Sequence, residues 1–143
     1  MNETNALQLG RYASLIARGV DRPLAQVPFH AAADAPLRRH VLVGDGVHPQ
    51  LDKRIVAHEL RAVSAAQRTY CEPHVHACDE LNLLLSLTHL VYEIRLGDEV
   101  FRVEAPATIY VPAGLVHSAN VVEGSGFFVA LLETDAYAAF PPP

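Results

Sequence analysis

Tryptophan is absent from the chain, methionine occurs once, cysteine twice, and aromatic residues make up only 7% of it. Each scarcity excludes something. Cys71 and Cys78 allow at most one bridge, which is not the framework of a disulfide-stapled secreted domain. Both are read as reduced thiols, and their spacing is not the C-x2-4-C of cysteine-built zinc sites. Charge is sparse as well: 19% of residues, with a net charge of −5, far from the basic balance that gripping a phosphate backbone requires. Nucleic acid is not an expected partner. The apolar runs, "LNLLLSL" among the longest, stop well short of the ~20 residues that cross a bilayer, and "MNETNALQLG" lacks the positive start and apolar stretch of a signal peptide. The expectation is a cytoplasmic protein with no membrane partner.

What the chain does have is a hydrophobic half, 50% of its 143 residues, enough for one core of ordinary domain size. A single domain over 1–143 is expected. Residues 5 to 18 carry Leu9, Tyr12, Ala13 and Ile16, with Val20 just beyond, at the spacing of one helical stripe. Asn5 with Gln8 resembles a capping box, and Gly19 and Pro23 are stop signals. A short N-terminal α-helix within 1–22, docked on the body or on another subunit, is predicted.

From about residue 38 to 133 the period changes to two. "RHVLVG", "RIVAHELRAV", "RTYCEPHVH", "ELNLLLSL", "VYEIRL", "EVFRVE", "ATIYVP", "HSANVV" and "GFFVALL" are short β-rich runs separated by turn residues, including "GDG" and "EGSG". With no interleaved helical pattern, they predict an all-β sandwich or barrel. "VYEIRLGDEVFRVE" is the clearest hairpin, turning at Gly97-Asp98 and sending Tyr92, Ile94, Phe101 and Val103 inward.

On that frame "HVHACDE" puts His74 and His76 on one face of an extended segment, and a short turn brings Glu80 to them. Two imidazoles and a carboxylate are ligands that iron, zinc, manganese and nickel accept. "PAGLVH" delivers His117 after a turn, and it would complete a shell of three histidines and one glutamate.

These two motifs resemble those of the cupin family: the H-x-H-x3-E core stands at His74, His76 and Glu80, and P-x-G-x2-H at Pro112, Gly114 and His117. The resemblance covers residues 40 to 133 or so. It implies a single cupin (double-stranded β-helix, jelly-roll) barrel, with those four residues binding one divalent transition metal that keeps open positions for substrate. It also points, with the hydrophobic strands, to a homodimer. The chain departs from the pattern where "LLLSLTHL" replaces the glycine of the first hairpin, where "EAPATIYVPAG" lacks the glycine that opens the second motif, and at Asn120, whose position three after His117 turns it to the opposite face.

Such a centre can chelate a small oxygen-rich metabolite, which predicts a metal-dependent enzyme of the oxygenase, isomerase or lyase type; the alternative is a non-catalytic cupin that binds a small ligand or acts as an accessory domain. No helix-turn-helix pattern points to a self-contained regulator. The catalytic candidates are Glu80, Asn82, which shares its face and is expected to contact substrate, and Tyr92, whose hydroxyl points inward. Tyr110, two residues before Pro112, is a further hydroxyl considered, and Glu72, which shares parity with His74, is considered as a support for that ligand. His30, His40, His48, His58 and His89 are read as ordinary hydrogen-bonded histidines.

Overall fold

The alternation read in the sequence becomes ten strands among the residues that the computed structural model describes, 10–31, 35–64 and 69–143. They are β1 (Val20–Asp21), β2 (Leu37–Val43), β3 (Arg54–Val63), β4 (Val75–His76), β5 (Glu80–Leu85), β6 (Leu90–Leu96), β7 (Glu99–Glu104), β8 (Ala107–Val111), β9 (His117–Leu132) and β10 (Ala139–Phe140). One antiparallel sheet runs β1-β2-β3-β9-β5-β8, with β6 on β9 and β7 outside β6; β10 pairs with β4. No helix among the described residues is long and apolar enough to cross a membrane.

The long strand β9 organises the barrel. Its first half pairs with β6, and its second half lies between β3 and β5. The sequence reading placed a turn at "EGSG", but the chain continues as one strand and bends there. Gly124 makes the bend possible: its φ is +106°, and a Cβ would sit 2.0 Å from the His89 carbonyl oxygen, so no other residue fits. The bend lets one strand serve both halves of the molecule. Between them Val41, Leu60, Leu84, Leu90 and Tyr92 are almost wholly buried, each aliphatic side chain contributing about 1.5–3 kcal/mol.

The "VYEIRLGDEVFRVE" hairpin forms as β6 and β7, with Leu96 opposite Glu99. Tyr92 and Ile94 are inside, as expected, but Phe101 is 42% exposed. It faces the same side as its partner Ile94, but β7 pairs only with β6 and lies at the edge of the sheet; Val103, two residues on, is half-buried against the core.

The expected N-terminal helix is not seen in its described part. Leu9, Asn5 and Gln8 lie outside the described residues. Between Gly10 and Arg22 there is one 3-10 turn, Ala13–Leu15, and the chain is extended again at Ile16. Tyr12 and Ile16 are 61% and 59% exposed, so the stripe finds no apolar surface to dock on, and an undocked helix this short is marginal. Val20 instead joins the sheet opposite Val41.

Candidate metal centre

Backbone pairing brings the two histidine motifs together. His74 and His117 form an isolated antiparallel bridge: the His74 N–H donates to the His117 carbonyl at 3.1 Å, and the His117 N–H to the His74 carbonyl at 2.9 Å. The Gly114 N–H donates to the His76 carbonyl at 2.8 Å. Asp79, in the turn between His76 and Glu80, fastens the same two segments by accepting from the Ala113 N–H and the Tyr110 hydroxyl, both at 2.8 Å.

The side chains then converge. The imidazole of His74 lies 4.8 Å from that of His76 and 4.5 Å from that of His117, centroid to centroid, and the last two are 5.0 Å apart. One nitrogen from each ring lies within 4.8 Å of the others. Glu80 Oε2 is 3.2 Å from His117 Nε2 and 3.4 Å from His76 Nε2. All four residues are buried.

The far side of each ring decides what the near side can do. The Nδ1 of His74 meets the Glu72 carbonyl at 2.7 Å, that of His76 the Ala138 carbonyl at 2.8 Å and that of His117 the Leu115 carbonyl at 2.9 Å. A carbonyl only accepts, so each Nδ1 carries its proton, and each neutral ring turns an Nε2 lone pair toward the others. Glu80 Oε2 and His117 Nε2 are buried, and neither makes an aligned hydrogen bond. Lone pairs gathered on one point fit a divalent cation, and the carbonyls behind the rings are the usual supports of metal-bound histidines.

Electrostatics agree. Burial pushes His74 down to about 4, keeping it neutral. Burial also opposes charge on the other pair, but each outweighs that for its partner: Glu80 raises His117, while His117, Asn82 and His76 together hold the Glu80 carboxyl below its ordinary value. The same point therefore attracts either a proton or a metal ion.

The centre opens on a cavity of about 70 Å³, room for about two waters at ~30 Å³ each. Val56, Phe128, Ala130 and Leu132 give it apolar walls; Asn82, His58, Arg39, Arg54 and Tyr137 also line it. Asn82 donates to Glu80 Oε1 at 2.7 Å, which leaves Oε2 facing the imidazoles. Arg54 is held by Asp45 at 2.7 Å and by Asp135 at 3.4 Å. Arg39 is only 6% exposed, and no side chain among the described residues forms a hydrogen bond or ion pair with its guanidinium.

The four expected ligands are thus together, and Asn82 is beside them. Tyr92 is not on the cavity wall. It points inward as its alternation requires, but it stacks on Phe128 at 5.0 Å, and Phe128 forms the wall; its hydroxyl meets that of Tyr70 at 3.4 Å. Tyr92 is thus placed in the core, apart from the residues that line the cavity. Tyr110 is exposed on the outer side. Glu72 contributes its carbonyl, while its side chain faces solvent. Of the five histidines read as structural, His30 and His58 do line the cavity.

Sequence reasoning passed over Arg39 and Arg54. The signal was present: in "RRHVLV" Arg39 shares a face with Val41 and Val43, and in "RIVAHEL" Arg54 shares one with Val56 and Leu60. A cation alternating with core residues is a buried cation.

No protein-family model matches the sequence, and no curated protein matches it. Solved structures do resemble it. An oxalate decarboxylase from Bacillus subtilis, examined for its Mn(II) centres, is 13% identical with a TM-score of 0.54 over 87% of this chain and 33% of that one. An RmlC-like cupin from Shewanella frigidimarina is 12% identical, TM-score 0.50, over 81% of this chain and 93% of that one. A protein of unknown function from Streptococcus pyogenes is 23% identical, TM-score 0.51, over 73% and 79%. The chain spans about a third of the oxalate decarboxylase. At such identities the likeness is one of fold, and the fold is that of the cupins.

Proposed function

We propose that this protein is a metal-dependent cupin enzyme acting on a small oxygen-rich metabolite, chelated at a centre of His74, His76, Glu80 and His117, in a reaction of the oxygenase, isomerase or lyase type. One observation carries the reading: the Nε2 atoms of three buried histidines, each ring fixed through its Nδ1, and the Oε2 of Glu80 converge on one point at the wall of a small cavity. A divalent iron, zinc, manganese or nickel ion would supply Lewis acidity there, and iron would add redox chemistry. The oxalate decarboxylase with this fold carries Mn(II) centres, which supports a metal without choosing it.

The chain's own residues set the remaining conditions. Asn82 holds one oxygen of Glu80 so that the other faces the imidazoles. Tyr137 sets its ring edge-on against His76 at 5.4 Å, and Phe29 stacks on His74 at 5.7 Å, so both imidazoles are kept from bulk water. The cavity volume restricts the ligand to a few non-hydrogen atoms.

Calorimetric titration of metal-free and Mn2+-loaded protein with glycolate, lactate and acetylacetone tests the reading. A hydroxy acid or β-dicarbonyl should bind the loaded form more tightly, and oxygen uptake by iron-loaded protein then separates an oxygenase from an isomerase or lyase. If all three bind no better with metal than without it, the reading is wrong.

A further inference from the structure

Arg39 is the residue the centre does not explain. A guanidinium is charged at all accessible pH values, and a buried charge is ordinarily paired. Arg39 is 6% exposed, yet none of the described residues gives it an ion pair or a hydrogen bond. Its charged surroundings do not compensate it: Arg54 opposes it, and Asp45 is engaged by Arg54 at 2.7 Å and Arg22 at 3.6 Å. Its partner across the sheet, His58, is neutral, since burial pushes it down to about 3. Arg39 nevertheless lines the same cavity as His74, His76, Glu80 and His117.

We propose that Arg39 anchors a carboxylate, and that the cavity takes a small organic acid whose second oxygen function reaches the metal group. This names the substrate class of the site proposed above and rests on that reading for the chelated end of the ligand; the Arg39 end stands on the unpaired guanidinium alone. With three neutral imidazoles, a divalent cation outweighs Glu80 and Arg39 adds to the excess, so the cavity favours an anion. The planar fork of one guanidinium matches a carboxylate through two parallel hydrogen bonds. Phosphate carries a further charge and more acceptor oxygens than one guanidinium fork can match. At about 70 Å³ the space suits an acid of a few carbons.

The test is calorimetric titration of wild type, Arg39→Gln and Arg39→Lys with glycolate, its uncharged counterpart glycolamide, and inorganic phosphate, each with and without one equivalent of Mn2+. Wild type should prefer glycolate to glycolamide by about tenfold or more. Arg39→Gln should lose the preference while binding as much metal, and Arg39→Lys should regain part of it. An equal affinity for the two in wild type, a preference that survives in Arg39→Gln, or tighter binding of phosphate than of glycolate overturns the proposal. If wild type takes up no metal but still shows an Arg39-dependent preference for glycolate, the metal reading falls and the anchor stands; if metal binds and the preference is absent, the reverse holds. Folding gives a second readout. Arg39→Met should melt above wild type without ligand, because it removes an unpaired buried charge, and glycolate should raise the melting temperature of wild type only. A melting temperature for Arg39→Met below that of wild type would mark Arg39 as a structural residue and also overturn the proposal.

Discussion

Asn82 shows how much can turn on one hydrogen bond. Alternation along β5 places it on the face of Glu80, which is legible from the sequence, but parity gives a face and not a partner. Its amide nitrogen is bound to Glu80 Oε1, so its first task is to aim a ligand, and the expected contact with substrate is secondary to that. Asn82→Ala should weaken metal binding by about 10–100-fold, the usual effect of removing a residue that orients a ligand. Competition against a chelator measures this, and an unchanged affinity would contradict it. His58 makes a different prediction. Burial, with Arg39 adding to it, lowers its folded-state pKa to about 3 from the ordinary 6.5, so between those values the unfolded chain binds the extra proton. The resulting stability is complete above pH 6.5 and is lost as pH falls toward 3, at up to about 1.4 kcal/mol per pH unit. Urea midpoints measured from about pH 7 down to about pH 4 should fall more steeply for wild type than for His58→Leu; parallel curves would refute this assignment.

The elements explain why so much of the architecture could be read in advance and where the reading stopped. The hairpin of β6 and β7 was legible because a period of two, a Gly-Asp turn and charged outer positions all agree. The meeting of His74, His76, Glu80 and His117 was legible for a similar reason, since two short motifs fix their own local geometry. Contacts between distant segments were not. Nothing in "EGSG" distinguishes a turn from a bend in a continuous strand; the close approach of His89 to Gly124 decides it. Asn120 was read only as facing away from His117. There its carboxamide accepts from the Tyr70 and Cys71 N–H groups at 2.9 and 2.8 Å and donates to the Cys71 carbonyl at 3.0 Å. It thus latches β9 to the segment that leads into His74. Asn120→Ala leaves three buried backbone groups without partners and should destabilise the protein by about 3 kcal/mol, while also loosening the His74 ligand. Chemical denaturation tests the first effect, and chelator competition the second. A variant with wild-type stability would show that the latch is dispensable.

At the scale of the whole molecule, the cupin barrel contributes convergence. The sheet brings its inward rows from β2, β3, β5 and β9 to one cavity, and the bridge between His74 and His117 sets the two motifs face to face at its wall. The hydrophobic core holds the site in place. The most revealing residues depart from the core's pattern: three histidines, a glutamate and a guanidinium, all buried among apolar side chains. Such departures mark sites where stability has been given up for function. Because the ligands are held in the folded chain only, metal binding should also stabilise the fold by mass action. Elemental analysis of protein purified without added metal, beside a His76→Ala variant prepared in the same way, tests the central claim most directly. The account predicts about one divalent transition metal per wild-type chain and little in the variant. Wild-type protein that is metal-free, fully folded and takes up no iron, zinc, manganese or nickel on titration would contradict it.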